Sequence, residues 1–280
     1  MRFSMAILAA AAAFTAGGAQ AASVEIRDAV ARVTVVPQDR ADIRVDIVKA
    51  HPELPLQITT IGGQTTIDGD LRRRIHDCNG LGERRRVRVG GVGRVAYEDM
   101  PQIVIYTPRG VDVTAGGAVQ GAIGRSGTLK LSNSGCSSWT VADVAGAAEI
   151  HQSGAGEVRM GAAERLDVRL SGAAGIRATR IRQGGLEAQL SGAGNVRVAE
   201  VTGPVDARVS GVGQIEVDGG RAPRVRASIS GIGKVNFDGS TDDLDASISG
   251  LGSIRVREVT GSLTKSVSGG GSVHVGNRPS

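Results

Sequence analysis

A short glycine motif recurs through the second half of the chain, and its residue types could hold a ligand. The clearest copy is LSGAGNVRV, which runs from Leu190 to Val198. A glycine loop cradles phosphate when it leads from a strand into a helix, and the nonapeptide G-G-x-G-x-D binds calcium through its aspartate. No helical pattern follows any copy, and valine or isoleucine occupies the aspartate position in all of them. The sequence therefore predicts neither a cofactor nor a metal site at these loops.

The motif has seven copies, whose serines are 18 to 20 residues apart. This spacing is too long for one strand and too short for a β-α-β unit, but it fits one coil of a β-solenoid. We expect each copy to form a corner, where glycine permits a positive φ or a close approach of two backbones. The predicted corner residues are Ser153, Gly154, Ser171, Gly172, Ser191, Gly192, Gly194, Ser210, Gly211, Ser230, Gly231, Ser249, Gly250, Ser268 and Gly269.

Stacked coils would place charged side chains in rows, and such rows could do acid–base chemistry. The acidic row comprises Glu149, Asp167, Glu187 and Asp206. The basic row comprises Arg159, Arg177 and Arg197. Polysaccharide lyases and hydrolases built on β-solenoids use outer-face carboxylates with Arg or Lys, but a repeat places charges in rows by default. We therefore predict no catalytic residue, treat the basic row as a candidate site for an anionic polymer, and keep a polysaccharide-active enzyme as the alternative.

Strands are the elements that must position these residues. Aliphatic residues alternate with polar ones along the chain, as in Leu166-Asp167-Val168-Arg169-Leu170. Successive side chains of a strand point to opposite faces, so the aliphatic set lines a core and the charged set faces solvent. This alternation distinguishes the chain, which has 42 glycines, from a disordered glycine-rich polymer. The predicted fold is all-β, a parallel β-helix or β-solenoid with coils of 19 to 20 residues.

Three segments are predicted. Residues 1–21 combine a basic start, a short apolar run and an Ala-Gln-Ala site, which is typical of a secretory signal peptide. The protein is therefore expected in the periplasm or at the cell surface, and no later stretch is apolar enough to span a membrane. Residues 22–112 are predicted to form capping strands and irregular early coils, with a separate small β-sandwich as the alternative. The regular coils are expected over residues 113–280.

A second basic cluster lies within residues 70–95 and interrupts the strand pattern. We interpret it as a projecting loop that could contact an acidic cell-surface polymer or lipid headgroups. Nucleic acid is not an expected partner, because the protein is predicted to be exported and has few aromatic residues on which bases could stack. The candidate residues are Arg72, Arg73, Arg74, Arg84, Arg85 and Arg86.

The chain has two cysteines, Cys78 and Cys136. Their spacing does not suit a metal, and an even number of cysteines in an exported protein favours a disulfide. We predict a Cys78–Cys136 bridge that ties the basic segment to the first coils, with two free thiols as the alternative.

A family resemblance rests on three features: the signal peptide, QIVIYTPRGVDVTAGGAV at residues 102–119, and the tandem S-G-x-G copies. Together they resemble the auto-transporter adhesin head, or GIN-domain, family of bacterial exported proteins over residues 100–275. The resemblance implies a right-handed parallel β-helix-like domain without established chemistry, and the family name suggests adhesion. A translocator barrel is not expected, because the sequence ends soon after the last repeat. The expected function is a non-catalytic binding or scaffold module of the envelope, with an envelope polysaccharide or another envelope protein as partner.

Overall fold

The structure, a computed structural model, describes residues 22–79 and 86–277. This part of the chain consists of strands, turns and two short 3-10 segments, with no α-helix. The strands stack as parallel coils in a β-solenoid of about nine turns, which confirms the predicted fold class. In the described ranges no helix could cross a membrane. The predicted signal peptide lies outside the described residues.

The strands of the first part of the chain are β1 (Ser23–Gln38), β2 (Arg44–Lys49), β3 (Gln57–Ile61), β4 (Gln64–Asp68), β5 (Ile75–Asn79), β6 (Arg86–Val89), β7 (Gly93–Ala96) and β8 (Gln102–Pro108). The strands that lead into the array are β9 (Gly110–Ile123), β10 (Thr128–Asn133), β11 (Ser138–Val141) and β12 (Ala147–Gln152). The strands of the regular coils are β13 (Ala155–Leu170), β14 (Ala173–Leu190), β15 (Ala193–Val201), β16 (Val205–Val209), β17 (Val212–Val217), β18 (Arg221–Ile229), β19 (Ile232–Ile248), β20 (Leu251–Val259), β21 (Leu263–Val267) and β22 (Ser272–Asn277).

The core is a set of aliphatic columns that run along the solenoid axis. After each corner, Val158 of β13 lies beside Ile176 of β14, which lies beside Val196 of β15. Before each corner, Leu166 lies beside Leu186 in the same parallel register. All five side chains are buried. Since every coil repeats these positions, stacking buries one continuous core.

Strand β1 shares this core with the repeats. It runs parallel to β9, with Val24 beside Val113, and it also pairs in parallel with β4 and β8. Val24 and Ile26 belong to the same apolar cluster as Val259, near the other end of the array. A separate β-sandwich, the alternative considered from the sequence, would instead have an apolar core of its own. The antiparallel additions are β2, which pairs with β8, and β3, which pairs with β4.

Within residues 70–95, the described residues, which exclude 80–85, form strands where a projecting loop was predicted. A 3-10 turn at Arg72–Arg74 leads into an antiparallel sheet of β5, β6 and β7. Val87, Val89 and Val95 are buried in a second apolar cluster with Leu54 and Met100. The high arginine content of the segment obscured the alternation along β6, in which arginines face solvent and valines face the cluster.

Close backbone approach explains the corner glycines. An ideal Cβ on Gly192 would lie 2.3 Å from the carbonyl oxygen of Gly172 and 2.3 Å from that of Ser171, both on the preceding coil. The contact recurs one coil later, where a Cβ on Gly211 would lie 2.3 Å from the Gly192 carbonyl oxygen. The S-G corner glycines of the described coils are absent from the positive-φ residues. The requirement at these corners is therefore space between stacked coils.

Two amides replace aliphatic residues in the core at the start of the array. Asn133 and Gln152 are 2% and 1% exposed, and Gln152 lies in the column that continues with Leu170. Asn133 Nδ2 donates to Gln152 Oε1 at 2.8 Å and to the Ser137 carbonyl oxygen at 3.3 Å. Mutual hydrogen bonding lowers the cost of burying these amides.

Candidate functional site

A groove of about 550 Å³ runs along the corners of five successive coils. One wall consists of the corner serines, and the other consists of the outward residues two positions before them. We call this groove the serine groove. The corner serines are Ser153, Ser171, Ser191, Ser210 and Ser230. The outward residues are His151, Arg169, Gln189, Arg208 and Ser228.

Strand alternation and the parallel register produce this arrangement. His151 lies beside Arg169, Arg169 beside Gln189, and Gln189 beside Arg208, so one outward position repeats on successive coils. Neighbouring parallel strands are about 4.8 Å apart. Any extended ligand along the groove therefore meets similar polar groups at about 4.8 Å intervals.

The serine hydroxyls face the groove with few protein partners. All five corner serines are exposed. Ser153 Oγ and Ser210 Oγ each donate a long bond of 3.4 Å to a carbonyl oxygen of the preceding coil. Within the described ranges, the hydroxyls of Ser171, Ser191 and Ser230 have no hydrogen-bond partner. These hydroxyls are available to a ligand as donors and acceptors.

Carboxylates compensate the positive charge of the groove. Glu149 Oε1 lies 2.8 Å from His151 Nε2 and 3.7 Å from Arg169 Nη1. Arg208 Nη2 lies 2.6 Å from Asp206 Oδ2. Since the cations are paired, the groove suits a hydroxyl-rich chain better than a dense polyanion.

The acidic row lies in register on consecutive coils, as its sequence spacing predicts. Glu149 lies beside Asp167, Asp167 beside Glu187, and Glu187 beside Asp206. Burial raises the pKa of the Asp206 carboxyl, Arg208 opposes this rise, and repulsion from Glu187 adds to it. None of these four acids lines the serine groove. Glu149, Glu187 and Asp206 are ion-paired with neighbouring arginines. Asp167 has no ion pair among the described residues, and its buried Oδ1 has no hydrogen-bond partner there.

The basic row also lies on consecutive coils, with Arg159 beside Arg177 and Arg177 beside Arg197. Glu157 bonds Arg159 at 2.6 Å and lies 3.3 Å from Arg177. Arg197 lies 2.9 Å from Asp218, whose hydrogen bond raises the pKa of that guanidinium. An anionic polymer at this row would therefore compete with carboxylates of the protein.

The described arginines of the second basic cluster lie on and beside the three-stranded sheet of β5, β6 and β7. Arg72, Arg73, Arg74 and Arg86 are exposed. Arg72 lies 3.3 Å from Asp70, and Arg74 Nε donates to the Gly90 carbonyl oxygen at 2.8 Å. Arg84 and Arg85 lie outside the described residues.

One exposed apolar feature was missed from the sequence. Val212, Ile232 and Leu251 follow the corner glycines of three consecutive coils and are 58–60% exposed. We call these three residues the apolar ridge. A signal was present, because the third position of the S-G-x-G motif changes from alanine in the early copies to larger aliphatic residues in these three.

The described part of the chain has no group of three or more His, Cys, Asp or Glu side chains that could hold a metal ion.

The chain is similar to known proteins in sequence and in fold. The sequence profile of the family described as "Putative auto-transporter adhesin, head GIN domain" matches residues 102–220 and 181–279. A solved structure from Parabacteroides distasonis ATCC 8503, described as a "Putative lipid binding protein", is similar with a TM-score of 0.52 and 19% identity. That similarity covers 91% of this chain and 92% of the other and concerns the fold. No curated protein matches the sequence.

Proposed function

Since the chain belongs to the auto-transporter adhesin head, or GIN-domain, family, we propose that it is an exported, non-catalytic binding module of the bacterial envelope. Its proposed ligand is a linear, hydroxyl-rich polysaccharide that lies along the serine groove. The observation that carries this proposal is the row of five exposed corner serines beside a row of charge-compensated polar side chains.

The groove suits a polymer because its polar groups repeat along one direction. Four coil intervals separate the first and last groove serines, which corresponds to about 19 Å at the spacing of parallel strands. A chain of sugar units could donate to and accept from serine hydroxyls on several coils at once. Each such bond contributes about 0.5–1.5 kcal/mol, so affinity depends on several coils acting together.

Export is supported by the signal-peptide pattern of residues 1–21. The proposed Cys78–Cys136 bridge would suit an oxidising compartment. In its support, the described residues include no free cysteine, and Cys136 packs beside the second apolar cluster. The backbone N–H of Cys136 also donates to Gly117 of β9, and β9 contacts β5, which carries Cys78.

Removing two groove hydroxyls tests the proposed site. The variant Ser171→Ala/Ser191→Ala is expected to weaken polysaccharide binding about tenfold, as the loss of two hydrogen bonds predicts. The measurement is a titration of the secreted full chain with dextran, a neutral glucan, which offers hydroxyls without the carboxylates that the cation pairs of the groove would compete with.

The matched control is Ser249→Ala/Ser268→Ala, which makes the same change at two corners outside the groove. This control is expected to bind like the wild type. Equal loss in both variants, or no binding of dextran by the wild type, would contradict the proposal.

The apolar ridge favours a second candidate function, contact with a lipid surface. The structural relative described as a lipid-binding protein is consistent with this candidate. Burial of one Ile side chain contributes about 1.5–3 kcal/mol, so Ile232→Ser is expected to weaken binding to vesicles of phosphatidylethanolamine and phosphatidylglycerol about tenfold or more. Ala173→Ser, in the same column but with little apolar area, is the control. Wild-type protein that fails to sediment with the vesicles would exclude this candidate.

A further inference from the structure

A smaller cleft, of about 220 Å³, lies on a different face of the solenoid from the serine groove. Its floor includes a register column in which Arg32 of β1 lies between Gln102 and Gln120. Tyr97, from the 3-10 turn Tyr97–Asp99, borders the same cleft. We call it the Arg32 cleft.

Arg32 is held in place without a carboxylate partner. Its guanidinium carbon lies 4.3 Å from the centre of the Tyr97 ring, and the residue is half-buried. Among the described residues no acid pairs with it and no side-chain hydrogen bond uses its N–H groups. The ring covers one face of the guanidinium, whereas the five N–H donors lie in its plane and stay available.

The acid that lines the cleft does not neutralise Arg32. Glu157 has a side chain only 15% exposed, and its two oxygens face two other cations. Oε2 lies 2.6 Å from Arg159, and Oε1 lies 3.3 Å from Arg177. The charge of Arg32 is therefore left for an external anion.

The polar groups that can reach a ligand beside Arg32 are those on the outward face of the strands. Trp139 is among the residues that line the cleft, but its ring is buried in the core over Gly121, so its indole N–H does not face the cleft. The hydroxyls of Thr34 and Thr140 also line the cleft and could pair with hydroxyls of a ligand.

We infer that the Arg32 cleft binds the carboxylate of an acidic sugar unit. Arg32 takes the two carboxylate oxygens in a bidentate pair, the geometry in which guanidinium binds carboxylates best. The Gln102 amide and the hydroxyls of Thr34 and Thr140, which line the cleft, would pair with the sugar hydroxyls. The cleft is below the usual size of a drug-sized pocket, which fits one sugar ring. This inference does not depend on the serine groove.

The test is titration of the full chain with trigalacturonate and with its fully methyl-esterified form, which has the same sugar frame without charge. The wild type is expected to bind the acid at least tenfold more tightly than the ester. Arg32→Gln is expected to lose this preference, and Tyr97→Leu to reduce it, because the guanidinium is no longer held. Tyr97→Phe keeps the ring and is expected to keep the preference.

Three results would overturn the inference. The first is equal binding of acid and ester by the wild type, and the second is an Arg32→Gln variant that binds like the wild type. The third is inorganic phosphate that competes as well as galacturonate, which would assign the cleft to phosphate groups. Circular dichroism confirms that each variant is folded. Ser171→Ala/Ser191→Ala is expected to keep the preference for the acid, so loss of binding at the serine groove is distinguishable from loss of binding at the Arg32 cleft.

Discussion

Replacing Trp139 by alanine is expected to lower the free energy of unfolding by about 3–5 kcal/mol. Trp139 is the only tryptophan of the chain and among the largest fully buried side chains. Its loss leaves a cavity in a narrow core whose other members are mostly Val, Ile, Leu and Ala. Urea unfolding followed by circular dichroism measures the change, since the variant has no tryptophan fluorescence.

A second substitution, at Gly121, tests whether the stability lost at Trp139 comes from the packing of these two residues. The ring lies over Gly121 on the preceding coil, where an ideal Cβ would be 2.0 Å from Trp139 Cε3. In the same column Val33 lies before Gly121 and Val158 lies after Trp139. The double variant Gly121→Val/Trp139→Val is therefore expected to recover most of the stability lost in Trp139→Val. Strict additivity of the two single changes would show that the pair does not pack as described.

Alanine at Gly192 is expected to lower the free energy of unfolding by about 1–3 kcal/mol, the cost of inserting a methyl group where there is no room. The added Cβ meets two carbonyl oxygens of the preceding coil, and backbone atoms on both sides must move apart. Thermal unfolding followed by circular dichroism measures the loss.

Gly219→Ala is the matched control for this corner. A Cβ at Gly219 would meet only the Ala199 carbonyl oxygen, at 3.8 Å, which is an ordinary contact. Its effect on the free energy of unfolding is expected to stay within about 0.5 kcal/mol. A Gly192→Ala variant as stable as this control would mean that the stacked corners have room for a methyl group.

The regular coils were predictable because their determinants are local and repeated. The alternation before Ser171 and Ser191 assigns Leu166 and Leu186 to the core, and the nearly equal spacing of the motif sets their register. At Gly192 and Gly211 an added Cβ would meet carbonyl oxygens of the preceding coil, whereas the sequence left open whether conformation or space requires glycine there. Glycine satisfies either requirement. Only the distance between stacked coils in the structure shows that close backbone approach is the one that applies.

The Arg32 cleft could not be predicted, because it depends on residues far apart in sequence. Arg32 and Tyr97 are 65 positions apart and meet only because β1 and β8 pair in parallel. The buried Asn133–Gln152 pair was hidden for a related reason. A polar residue at a core position signals a structural pair only when its partner on the next coil is known.

Because the corners stack in register, the solenoid can be lengthened by whole coils. A tandem duplication of one period would add a coil whose contacts with its neighbours are of the kind already present. In the serine groove it would extend the row of hydroxyls by about 4.8 Å and leave the chemistry of each interval as it was. If the groove binds a polymer as proposed, replication slippage within the repeat would change the length of polymer that it contacts. Point substitutions would change which polymer it recognises. The length of polymer bound and the type of polymer recognised would then change through different kinds of mutation.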